Sequence, residues 1–107
     1  MRREEIIQHL TLRAIADDYE NFDRILRDVK RWAATRGFKP RESAILKALD
    51  SLIQASCARA YSLSEAPGAK PQIVPFRENR VDELWFYVTP KGKRLVRALM
   101  KYRGDRP

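Results

Sequence analysis

Residues 41–64 read RESAILKALDSLIQASCARAYSLS, and within them the apolar period changes from that of a helix to that of a strand. Ile45, Leu46, Leu49, Leu52 and Ile53 recur at helical spacing and predict a helix over 41–55 with one face toward a core. The opposite face carries Ser43, Ala44, Lys47, Ser51 and Gln54. From Ser56 onward, Arg59, Tyr61 and Leu63 alternate with Ala58, Ala60 and Ser62, the two-residue period of a half-buried strand. A helix that runs almost directly into a strand makes the two elements share one core. The residues before this pair read as its support, and those after it as the strand's partner and a closing helix.

Upstream, the spacing of Phe22, Ile25, Leu26, Val29, Trp32 and Ala33 predicts a helix over 21–36, with Asn21 as its N-cap. Gly37 supplies a left-handed residue after the last turn, and Phe38 is placed to pack back on it. Pro40 stops any continuation and suits the first turn of the next helix. Residues 37–40 are therefore a short link between two helices; a bare helical hairpin would look the same here. Before it, Ile6, Ile7, Leu10, Ala14 and the less regular Leu12 and Ile15 predict a helix over 3–18, ending at Asp17 and Asp18, where acids oppose the helix dipole. Thr11 is an alternative cap for a second, shorter helix. Glu4–Glu5 and Asp17–Asp18 are not catalytic pairs, because adjacent helical residues point about 100° apart.

Downstream, Pro67, Gly68, Pro71 and Pro75 exclude a helix and a central strand, leaving a loop with a short edge strand near 73–76. The run LWFYVT at 84–89 is aromatic and β-branched and predicts a strand, pairing antiparallel with 57–64. The loop between them is long for a hairpin connection. Thr89-Pro90 then opens a helix over 90–102, Thr as N-cap and Pro at the first position. Leu95, Val96, Leu99 and Met100 form its apolar side; Lys93, Arg94, Arg97 and Lys101 gather on the other.

ILKALDSLIQASCARAYSLS followed by FYVTPKGKRLV resembles the bacterial repressor-like winged helix-turn-helix family. The likeness spans roughly 22–100. It implies a mainly α fold with a small antiparallel β-hairpin, in the order α-α-α-β-β-α, with residues 1–107 forming one domain whose wing covers about 57–89. The family usually has Gly where Ser56 stands, and its wing is usually shorter. The resemblance also implies duplex DNA binding with helix 41–55 in the major groove. By position, Ser43, Ala44, Lys47 and Ser51 face bases, whereas Arg36, Lys39 and Arg41 around the turn and Lys70, Arg77 and Arg80 in the wing meet phosphates. That reading face offers one long basic side chain, Lys47, so base readout is sparse, and a winged helix can equally serve as a protein-interaction module.

Composition points the same way. Lys and Arg number 22 against 14 Asp and Glu, for a net charge of +8, which suits an anionic partner, nucleic acid ahead of membrane; a basic but inert solvated surface accounts for the charge equally well. Cys57 and His9 are each the only residue of their type, so an intrachain disulfide, a metal site and a catalytic triad all lack residues. No cofactor and no enzymatic activity are expected. Cys57 reads as a small core residue, His9 as a surface or partly packed one, and Trp32 and Trp85 as core, with the alternative that the run 85–87 exposes one ring on the outer sheet face. The N-terminus has charge where a secretion signal needs an apolar run, and no stretch approaches bilayer length, so a cytoplasmic location is expected. The first and last helices carry more apolar residues than one inward stripe needs. This predicts a homodimer joined through Ile7, Leu12, Leu95 and Leu99; the alternative is that the two helices pack on each other within one chain.

Overall fold

The computed structural model describes residues 2–64 and 66–104 and is a mixed α/β fold. Its elements run α1 (Arg3–Ala14), β1 (Glu20–Asn21), α2 (Phe22–Ala34), α3 (Glu42–Gln54), β2 (Ala58–Ser62), β3 (Gln72–Val74), a 3-10 segment (Glu78–Glu83), β4 (Trp85–Val88) and α4 (Pro90–Gly104). The order therefore differs from the expected α-α-α-β-β-α. The sheet is four-stranded and antiparallel, ordered β1-β4-β2-β3, rather than a simple hairpin. The expected pairing of the strand after α3 with the aromatic strand is present, with Ala58 opposite Val88 and Ala60 opposite Phe86. The additions are its edges, β1 of two residues and β3 of three, short as exposed edges usually are.

Local chemistry explains most of the boundaries. The Asn21 side chain accepts the Arg24 N–H at 2.9 Å and starts α2. Both α2 and α3 stop in the same way: the chain turns left-handed, at Gly37 (φ 84°) and at Ser56 (φ 62°), and the next amide reaches back five residues. Phe38 N–H bonds to the Ala33 carbonyl at 3.2 Å and Cys57 N–H to the Leu52 carbonyl at 2.9 Å. Ser56 thus takes the conformation that glycine usually supplies, at a cost that glycine would not incur.

The first helix is the clearest departure in length, ending at Ala14 instead of Asp18. Its next carbonyl, that of Ile15, accepts the Val88 N–H at 3.3 Å, which diverts the chain toward the sheet so that β1 can form. Thr11 is no cap. It is fully buried in mid-helix, with its hydroxyl donating to the Ile7 carbonyl at 2.7 Å.

The core lies between the helices and one sheet face. Ala58, Ala60, Phe86 and Val88 point inward from the strands to meet Ile25, Val29, Ile45, Leu49 and their neighbours. Each large side chain so buried contributes about 2–3 kcal/mol. Because α1 packs against α2, α3 and α4, it needs apolar residues around most of its circumference. Ile7, Leu10, Leu12 and Ile15 are all buried within one chain, so Ile7 and Leu12 present no surface to a second copy. The N-terminal half of the expected dimer interface is core. His9, expected at the surface or partly packed, is buried, and Trp32 and Trp85 are half-buried rather than core.

Candidate nucleic-acid interface

The orientation of α3 is set at its two ends. At its start the Arg41 carbonyl accepts the amides of Ala44 and Ile45 at 3.0 and 3.2 Å, while Phe38 and Pro40 are buried beneath the link. At its end three groups from the β4–α4 junction hold the chain. Thr89 Oγ1 donates to the Ser56 carbonyl at 2.6 Å, Thr89 N–H donates to the Cys57 carbonyl at 3.0 Å, and Lys91 Nζ reaches the Ala55 carbonyl at 2.8 Å. The lysine places a cation at the negative end of α3. Thr89 also caps α4, accepting the Gly92 N–H at 3.1 Å.

With Ile45, Ala48, Leu49 and Leu52 turned inward, the outward stripe of α3 is Ser43, Lys47, Asp50 and Gln54. Ser43, Lys47 and Gln54 are exposed, and the Gln54 amide donates to Asp50 at 3.0 Å. The four expected base-facing residues do not share that stripe equally. Ala44, Lys47 and Ser51 line a groove of about 230 Å³ against Glu4, Ile7 and Gln8 of α1. Ala44 and Ser51 are half-buried there. The helical period locates the buried centre of α3 but not the neighbour that flanks it, so the leaning of Ala44 and Ser51 toward α1 has no signal in the sequence. Asp50 does have a signal: it stands three residues after Lys47 and four before Gln54, on the face that the helical period turns outward.

The expected phosphate contacts fall into two groups. Arg36, Lys39 and Arg41 are exposed around the link into α3. In the expected wing, Arg77 and Arg80 line one concavity with Glu83, whereas Lys70 lies exposed in the 66–71 segment. Arg80 donates to Glu83 at 2.7 Å. That hydrogen bond and charge hold the Glu83 carboxyl below the ordinary glutamate range, so Arg80 meets a phosphate only by leaving this exposed partner. At the other sheet edge, partial burial pushes the Glu20 carboxyl up, with Arg24 opposing the shift.

No protein-family model matches the chain, and the comparisons with curated proteins and with solved structures give no match either. Function therefore rests on the surface itself. Among the described residues no group of three His, Cys, Asp or Glu is placed to hold a metal ion, and no helix is long and apolar enough to cross a membrane. On α4, Leu95 is 40% exposed and shares a cleft with Leu99, His9, Leu12 and Leu52. The side chains of Met100, Lys101 and Tyr102 lie outside the described residues.

The outer face of the sheet is a second surface, hinted at in the sequence only by the aromatic run at 85–87. Strand register puts Ile73, Tyr61 and Trp85 in one row and Arg59 and Tyr87 in the next. Tyr19, one residue ahead of β1, packs against both Tyr61 and Tyr87, with ring centroids 5.0 and 4.8 Å apart.

Proposed function

We propose that the protein is a winged helix-turn-helix regulator that binds duplex DNA, with α3 entering the major groove and the segment from β2 to β4 acting as a basic wing. The observation that carries this reading is the exposed stripe of α3, Ser43, Lys47 and Gln54, on a helix joined to α2 by a short link and running straight into a strand. Lys39 and Arg41 at the start of the helix and Arg77 in the wing are exposed and suit phosphates on either side of a groove. Arg36, Lys70 and Arg80 extend the same set, and Ser43, Ala44, Lys47 and Ser51 are the base-facing residues. The protein would act in the cytoplasm as a homodimer, joined through the exposed Leu95 and the half-buried Leu99 of α4; sedimentation equilibrium of the wild type and of Leu95→Lys tests that joint.

A second reading has its own observation. Asp50 sits on the stripe and pairs with Gln54, which leaves Lys47 as its single cation and suits a protein partner with mixed charge. Binding of random duplex DNA across a salt series separates the two. A regulator loses affinity steeply with salt and retains a preference among sequences. Replacing Lys39 or Arg41 weakens binding to all duplexes and flattens the salt slope, whereas replacing Lys47 or Ser43 changes the preference. Absence of duplex binding at low salt would establish the interaction-module reading instead.

A further inference from the structure

Antiparallel partners point to the same sheet face, so the register of β2, β3 and β4 gathers Tyr61, Trp85, Tyr87, Arg59 and Ile73 on the side away from the core. The opposite side is the buried one, with Ala58, Ala60 and Phe86. On the outer side, Tyr61, Trp85 and Tyr87 are half-buried, with Tyr19 packed against the Tyr61 and Tyr87 rings, Arg59 is exposed and Ile73 is 61% exposed. The rings and Ile73 make this face an apolar surface that is only partly covered.

Cations border the rings. Lys93 Nζ stands 5.3 Å from the centre of the Tyr87 ring. The same lysine lines a cleft of about 490 Å³ with Arg13, Arg97, Trp32 and Asp17, where the Arg13 guanidinium lies 4.5 Å from the Trp32 ring centre. Rings and cations thus form one continuous track, from Arg59 across the sheet to Lys93 and into the cleft. Asp17 is the one carboxylate among the residues lining that cleft.

We propose that this outer sheet face and the adjoining cleft bind single-stranded DNA, with bases stacking on Tyr61 and Trp85, the Tyr87 ring being held between Tyr19 and Lys93, and phosphates meeting Arg59, Lys93 and Arg97. Every base has a π-face, so flat rings interleaved with cations hold an unpaired strand without reading its sequence. A duplex hides those base faces and has nothing to offer the rings. The rings and cations themselves require only unpaired bases and phosphates; that the strand is DNA rests on the duplex reading of α3. The site is separate from the exposed stripe of α3, and its existence does not depend on the duplex reading.

The test is fluorescence anisotropy of labelled oligo(dT), oligo(rU) and random duplex against the full chain across a salt series. Wild type binds oligo(dT) more tightly than oligo(rU), with a salt slope of about −2 for three phosphate contacts. Tyr61→Leu weakens oligo(dT) binding about tenfold, the loss of one stacked base, and leaves duplex affinity unchanged. Arg59→Gln changes only an exposed side chain, so it stays informative if the ring variant misfolds; it reduces the salt slope by about 0.7. Lys39→Ala and Arg41→Ala do the reverse, weakening duplex and sparing oligo(dT), so the two surfaces fail independently. Oligo(dT) binding that is absent at low salt, or untouched by both sheet variants, overturns the proposal. So does tighter binding of oligo(rU), or an Ile73→Glu variant that converts a dimer to a monomer, which would make this face a contact between copies of the chain.

Discussion

The two ends of β2 are held in different ways. At its start, Cys57 is buried, and the carbonyls of Ala55, Ser56 and Cys57 are each taken by a group from the β4–α4 junction more than thirty residues along the chain. At its far end, Ser62 and residues 66–71 are exposed, and the chain returns through a 3-10 segment with no buried residue. An exposed Arg80–Glu83 pair stands where the start has a buried threonine and glycine. Directional bonds to backbone carbonyls fix an angle, and solvated charges do not. The angle between α3 and the sheet is therefore the more firmly held of the two, and the return between β2 and β4 the more adaptable.

The hardest test of the firmer end is Gly92→Ala. A methyl group built on Gly92 would run into the Cys57 carbonyl oxygen and a Val88 methyl, and a backbone carbonyl already bonded to Thr89 cannot swing aside. The expected loss is roughly 3 kcal/mol in urea denaturation. Helix propensity alone predicts the opposite sign, a gain of about 1 kcal/mol for Ala over Gly. A stabilised variant would show that the junction is slack and that the contrast between the two ends of β2 is unfounded.

Ser56→Gly probes the same end with a smaller effect of opposite sign. At φ 62° a non-glycine residue bears a cost of about 1–2 kcal/mol. Glycine removes it while adding conformational freedom to the unfolded chain, for a net gain of about 0.5–1 kcal/mol. Because Thr89 bonds to the backbone oxygen at this position, the tether survives the change. A loss of stability would mean that the left-handed turn is not where the strain resides.

These junction residues are also the ones most legible in the sequence. Asn21, Gly37 and the Thr89-Pro90 pair signal their roles through local chemistry, and α2, α3 and the start of α4 fall within two residues of where period and caps put them. β1 is not legible. Glu20 and Asn21 have no strand pattern of their own and become a strand only because β4 lies beside them. The end of α1 is hidden in the same way, since nothing local tells Ile15 to offer its carbonyl to Val88. On the candidate site, period suffices to turn Ser43 and Lys47 outward. The flanks of α3, the burial of Leu12 and the ring rows of the outer sheet face all depend on which elements become neighbours, and one sequence does not contain that.

The smallest expected effect belongs to the open end. Arg80 and Glu83 are both well exposed, about 60% or more, so water and salt screen their attraction and little of it reaches the folding equilibrium. Arg80→Ala should leave the thermal midpoint within the scatter of replicate melts at moderate salt. What the pair does contribute has a defined pH dependence. The Glu83 carboxyl is held below its ordinary range in the folded chain, so the contribution is complete above the unfolded glutamate pKa and is lost as pH falls through the lowered folded value. Melts of the two proteins at low salt should therefore differ slightly at neutral pH and converge in acid. A large, salt-insensitive loss at neutral pH would show that the return is clamped as firmly as the junction, and the proposed division between a firmly held α3 and an adaptable return would fail.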